Sequence, residues 1–138
     1  MRRIFSTSFS PSNIHTALLL LRVVVAAFML THGLPKLMNM MSGNSKFGDP
    51  LGLGKDLSLG LTVFAEFVCA ILLMLGLATR LALIPLIITM LVAAFVAHAD
   101  DPFGKKEMAL LYLVVFITLL ITGPGKYSID NALGRNRR

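Results

Sequence analysis

Cysteine and tryptophan are nearly absent: 138 residues contain one cysteine, Cys69, and no tryptophan. A lone thiol forms no intrachain disulfide and runs no dithiol relay. Cys69 also lacks a CxxC partner, a zinc-type spacing or an adjacent base, so it reads as a small packing hydrophobe rather than a nucleophile. Charge is scarce too, at 14% of residues, where soluble domains average about a quarter. With 56% hydrophobic residues, the chain carries more apolar side chain than one core of this length can hide, and lipid must cover part of it. There is no GxGxxG, P-loop, GxSxG or HExxH element, and so no local basis for nucleotide binding or hydrolysis. Tandem repeats and low-complexity tracts are also missing.

What the sequence does have is long apolar runs. A helix needs about 20 mostly apolar residues to cross roughly 30 Å of hydrocarbon. Four segments meet that measure, at about 14–38, 57–78, 81–98 and 107–122. Ser12 or Asn13 is placed to cap the first, Pro85 falls early in the third where a helix tolerates it, and Gly123-Pro124-Gly125 stops the fourth. Met1-Arg2-Arg3 ahead of an apolar run has the look of a secretory signal. Arg22 interrupts that run, however, and no small-x-small cleavage site follows Leu30, so the segment reads as a retained first helix. The expected fold is all-α, an integral membrane four-helix bundle forming one domain over 1–138.

Four spans put both termini on one side. That side gathers Arg2, Arg3, Arg80, Lys126, Arg135, Arg137 and Arg138 against Asp130. The other holds Lys36, Lys46, Lys55, Lys105 and Lys106 against Asp49, Asp56, Asp100, Asp101 and Glu107. Seven Lys and Arg against five place both termini in the cytoplasm by the positive-inside rule. The same sorting removes a nucleic-acid reading of the basic pI of about 10.0: the excess sits at helix ends and on the 135–138 tail, where lipid headgroups are the natural partner, with no basic stripe interleaved with aromatics.

Ionisable residues inside hydrocarbon are expensive and are functional candidates by default. Arg22 and Glu66 are the two here, both near the middle of their segments. Side chains lean toward their own helix N-termini, which sends Arg22 and Glu66 to opposite sides and leaves a direct bond between them open. The bland alternatives are a structural ion pair, or an Arg22 that snorkels to the headgroups. Glu66 has other candidate partners in its half of the bundle: His32 and Lys36 from the first helix, His98 from the end of the third, and Glu107 from the start of the fourth. His32 and Lys36 share a face at i, i+4, and Arg22, Met29 and Lys36, spaced by sevens, form a neighbouring stripe toward the interior. An outward-opening polar pocket follows, in which a carboxylate and a histidine carry protons coupled to redox or transport. Against this, His32, Lys36, His98 and Glu107 are also what a plain water interface looks like.

The outer loop over 39–56 is long for a bundle connection, and Phe47, Leu51 and Leu53 in it are candidates to cover the pocket, with a flexible connector as the alternative. Asp100 and Asp101 lack the further oxygen ligands of a cation site. Met38, Met40 and Met41 do not make a copper site, and His32 with His98 does not by itself make a haem site. No metal is expected, and haem is not the expected cofactor.

Arg22, Phe28, His32-Gly33, Lys36-Leu37, Glu66, Gly76 with Thr79-Arg80, and Gly123-Pro124-Gly125 with Ser128 and Asp130 together resemble the DoxX family of small bacterial membrane proteins. The resemblance covers about 16–134, and HGxxK and GPGxxSxD are its most specific elements. Where that family often has Gly in its first two helices, this chain has Ala26 and Cys69-Ala70. The resemblance implies a four-helix inner-membrane protein related to quinone-reducing membrane subunits. It does not imply a defined reaction. The reading reached from the sequence is a membrane subunit of a quinone-linked redox system, served by a soluble or membrane redox partner and open to homo-oligomer formation. Glu66 is its proton carrier, His32 a hydrogen-bond partner and Arg22 an orienting charge, with Lys36, His98 and Glu107 around the ligand. A non-catalytic anchor or assembly partner and a small-solute transporter are the alternatives.

Overall fold

Pro11 opens the first helix, because a proline at the first helical position gives up only an N–H that would have no helical partner. The computed structural model describes residues 8, 10–43 and 46–135. Arg2, Arg3, Arg137 and Arg138, which weigh in the comparison of loop charges, lie outside the described residues. Helix α1 runs Pro11–Met41, α2 Lys55–Leu75, α3 Thr79–Ala97, α4 Phe103–Thr122, and a short α5 Ile129–Arg135 follows. Among the described residues there is no strand.

Several expected boundaries shift. The first helix starts at Pro11 with Ser10 as its cap residue, ahead of Ser12 and Asn13, and continues to Met41. The second stops at Leu75 rather than 78, because Gly76 takes a left-handed conformation (φ +69°) that ends the helix. The fourth begins at Phe103, directly after Pro102, so Lys105, Lys106 and Glu107 lie in its first turns. Those three charges separate α4 from the rest: α1, α2 and α3 are long and apolar enough to cross a membrane. The protein is an all-helical membrane protein with three such spans among its described residues.

One core joins the four long helices: Ala26 and Met29 of α1, Cys69 and Leu73 of α2, Leu83 and Leu86 of α3, and Phe116 and Leu119 of α4 are all buried in it. The small residues Ala26, Cys69 and Ala70 are almost wholly buried and let the backbones come close, as small residues do between membrane helices. Neighbours in sequence pack on one another, whereas α1 and α4 close the bundle only lightly.

Two of these helices widen locally into π-helical turns, Phe64–Cys69 in α2 and Ala93–Ala97 in α3. Such turns insert a residue into an α-helix and often mark functional sites. The first carries Glu66, and α1 passes directly over it at Gly33. A Cβ on Gly33 would meet the Glu66 carbonyl carbon at 2.6 Å, so only glycine allows this crossing.

The end where α1 begins and α4 stops is tied together by Arg22 and Asp130. Arg22 Nη1 and Nη2 donate to the carbonyls of Pro124 (2.5 Å) and Tyr127 (2.7 Å). The Asp130 carboxylate accepts from the backbone N–H groups of Ala78 (2.7 Å) and Thr79 (2.9 Å) at the start of α3, and the Asp130 N–H returns a bond to the Gly76 carbonyl. Gly76 is again required: a Cβ there would run into Arg22 and Ser128 at under 3 Å. Burial works to raise the Asp130 pKa, but the Thr79 and Ala78 donors and the Arg22 charge outweigh it and hold the carboxyl below its ordinary value.

Candidate functional site

At the opposite end of the bundle, Glu66 meets Lys36. Lys36 Nζ lies 2.5 Å from Glu66 Oε2, with Glu66 almost fully buried and the lysine side chain 29% exposed. The i, i+7, i+14 stripe expected on α1 is there: Arg22 and Met29 are buried and Lys36 is half-buried. It serves two ends of the molecule. Arg22 and Glu66 do not bond to one another; Glu66 has Lys36, and Arg22 has the loop that follows α4.

The ion pair lines a cleft of about 160 Å³ together with Met29, His32, Met90, His98, Lys105 and Tyr112. Five of the residues singled out in the sequence thus fall into two groups. His32, Lys36, Glu66 and His98 come together, while Arg22 stands apart. Glu107, the sixth, is exposed at the start of α4 and is not among the residues lining the cleft.

Each side chain has a local reason for its place. The π-turns of α2 and α3 carry Glu66 and lead into His98, and the cleft lies between them. His98 Nδ1 contacts Asp101 Oδ2 at 2.6 Å, and Lys105 reaches the other oxygen of that carboxylate at 3.6 Å. The His98 hydrogen bond, helped by the charge of Lys105, holds the Asp101 carboxyl below its ordinary value. His98, bonded to Asp101, thus lines the cleft together with the Lys36–Glu66 pair, of which only Glu66 is buried. Proton exchange between solvent and a bound polar group is what such a series can perform.

The loop after α1 is tied down near the cleft. Asp49 accepts from the N–H groups of Leu53 (2.9 Å) and Gly54 (2.8 Å) and from the Ser58 hydroxyl (2.8 Å), and these bonds, that of Ser58 foremost, hold its carboxyl below the usual range. Phe47 sits with its ring centroid 5.9 Å from Lys36 Nζ and forms part of a second hollow of about 190 Å³ behind the ion pair. Leu51 and Leu53 remain half-exposed.

Tyr112 is the residue that sequence reasoning missed. It enters the cleft from α4, edge-on to His32 (ring centroids 5.9 Å apart, planes at 89°), and stacks at 5.8 Å on the buried Phe116. The only polar aromatic in an otherwise apolar stretch of α4 was the available signal.

Comparison with known proteins agrees with this architecture. The DoxX family model matches residues 17–99. An uncharacterized protein of Haemophilus influenzae is 34% identical over 80% of this chain and 86% of its own length. An uncharacterized membrane protein of Mycobacterium tuberculosis is 30% identical over 83% of this chain and 80% of its own. The "Putative oxidoreductase CatD" of Bacillus subtilis is 30% identical over 81% of this chain and 83% of its own. No solved structure gives a significant match. With a helical membrane bundle, and a family match over more than half its length, the chain belongs to the DoxX family.

Proposed function

We propose that the cleft is the headgroup site of a membrane-dissolved quinone, and that the protein is a membrane subunit of a redox system. The observation that carries this reading is the Lys36–Glu66 pair. A buried carboxylate and a half-buried ammonium meet inside an apolar bundle and line a cleft beside two histidines. Reduction of a quinone takes up two electrons and two protons. The Lys36 ammonium gives a proton to the headgroup and Glu66, its carboxylate partner, is the proton carrier that returns one to it; His32 is the hydrogen-bond partner of the headgroup, and His98 with Asp101 re-supplies protons from solvent. With a single thiol the chain has no dithiol to cycle, so the electrons come from a partner protein. The name of the Bacillus relative, "Putative oxidoreductase CatD", supports the redox class.

Detergent-purified protein, extracted with solvent and analysed by mass, is expected to yield a co-purifying quinone, and Glu66→Gln protein to yield much less while still folding. No quinone in the wild type, with full tolerance of Glu66→Gln, points to an anchor or assembly partner. A transporter would instead show solute uptake that depends on Glu66. The anchor reading has one observation of its own in its favour: Arg22, Gly76, Gly123-Pro124-Gly125 and Asp130, all among the residues that carry the family resemblance, build the lock at the end opposite the cleft.

The proposed setting is the bacterial inner membrane, crossed four times, with both termini in the cytoplasm and the cleft facing outward. In a Cys69→Ser background, Lys46→Cys should react with an impermeant maleimide on intact cells and Leu133→Cys should not. Labelling of Leu133→Cys alone would turn the cleft toward the cytoplasm.

A further inference from the structure

The polar cleft does not end at its lining histidine. Through His32 and Tyr112 it runs on into an apolar groove of about 430 Å³ between α1 and α4, walled by Val25 and Phe28 on one side and Leu111 and Val115 on the other. Along this seam α1 and α4 pack on each other only lightly. Phe28 and Leu111 are largely exposed, facing where lipid must lie. At the junction stand two groups able to donate hydrogen bonds. Among the described residues, neither the His32 ring nor the Tyr112 hydroxyl has a hydrogen-bond partner. His32 is exposed and Tyr112 half-buried, so both are open to a ligand that enters along the groove.

We infer that the α1–α4 seam is a lateral portal. A ligand with a carbonyl-bearing head and a long apolar tail enters from the bilayer, and its head is held at His32 and Tyr112 while its tail stays in the groove. This rests on the quinone reading of the cleft and adds the route and the seat of the tail. The occupant is the tail of the cleft's own ligand, because the groove is continuous with the cleft and shares its polar threshold. An apolar tail gains little by moving from lipid into an apolar groove, so the head supplies the specificity and the groove only allows the tail to remain in apolar surroundings. Entry from water would instead drag the tail through the charged mouth at His98, Asp101 and Lys105.

The test uses the full-length protein in lipid nanodiscs with a decyl-tailed benzoquinone bearing a photoreactive diazirine at the end of the tail. Adducts mapped by mass spectrometry are expected on the Val25–Thr31 stretch of α1 and the Leu111–Val115 stretch of α4. A tail-less benzoquinone at about ten times its Kd should lower that labelling about tenfold, since it competes for the head site. Leu111→Trp, an exposed position whose indole fills the groove, should abolish the adducts while leaving the tail-less quinone bound. Competed adducts near Phe47 and Thr62 instead would place the tail behind the ion pair and overturn the portal, leaving the quinone reading standing. Groove labelling that the tail-less quinone does not reduce would mark an ordinary lipid chain and overturn the portal likewise. No binding of either quinone would overturn the quinone reading, and the portal with it.

Discussion

Lys36→Met should destabilise the protein by about 3–5 kcal/mol in detergent unfolding, because it strands the Glu66 carboxylate in the apolar interior. Glu66→Gln should cost clearly less. The two partners are not equally buried: Glu66 is sealed in by the π-turn and Gly33, whereas Lys36 is 29% exposed and has a long stem with which to reach solvent once its partner is neutral. The double variant Lys36→Met/Glu66→Gln should recover much of the loss, giving a coupling energy well outside the error of additivity. If the two single effects simply add, the pair is a neighbourly contact and Glu66 has another source of stabilisation. Because Glu66→Gln is the milder change, it is also the variant in which loss of quinone can be read without loss of the fold.

A second large effect is expected at the other end of the bundle. Arg22→Met removes both donors that serve the Pro124 and Tyr127 carbonyls, in a site where the arginine is 1% exposed. Each stranded acceptor costs about 1–3 kcal/mol, so the variant should lose roughly 2–6 kcal/mol. Arg22→Lys should not rescue it, since one ammonium cannot span two carbonyls as the planar fork does. The loss should leave bound quinone in the surviving folded fraction unchanged and add to that of Lys36→Met, because the two sites share no partner. Acid acts on the same lock. The Asp130 carboxyl lies below its ordinary value in the folded protein, so its contribution is complete above the unfolded carboxyl pKa of about 3.9 and is lost as pH falls from there through the folded value. Asp130→Asn should flatten that part of the stability profile.

Much of the bundle can be read from residue types alone, since apolar length and the cost of buried charge leave few choices. Arg22 and Glu66 stand out in any apolar run, and His32 and Lys36 are visibly on one face. Their partners are less legible, for a physical reason. Arg22 donates from its two terminal nitrogens to backbone carbonyls, which every residue carries and no sequence pattern advertises, while its Nε is buried without a partner. The π-turns are equally silent, because one extra residue in a turn has no signature of residue type, yet they carry Glu66 and lead into His98. Glu107 misleads in the opposite way. By residue type it reads as the start of the fourth helix, but α4 begins at Phe103, and Glu107 is exposed. Tyr112 hides among apolar neighbours whose periodicity is blurred because α4 is apolar nearly all round.

The Arg22 lock joins residues 102 and 105 positions apart in sequence, and this bears on the order in which the protein is made. Chains emerge N-terminus first, so α1 is inserted long before Pro124 and Tyr127 exist. During that interval its guanidinium is a charge without a native partner, and its long stem can only turn toward the headgroups. The first helix is therefore held in a provisional position while the following helices are made, and it settles to its final depth only when residues 102 and 105 positions further along reach back to it.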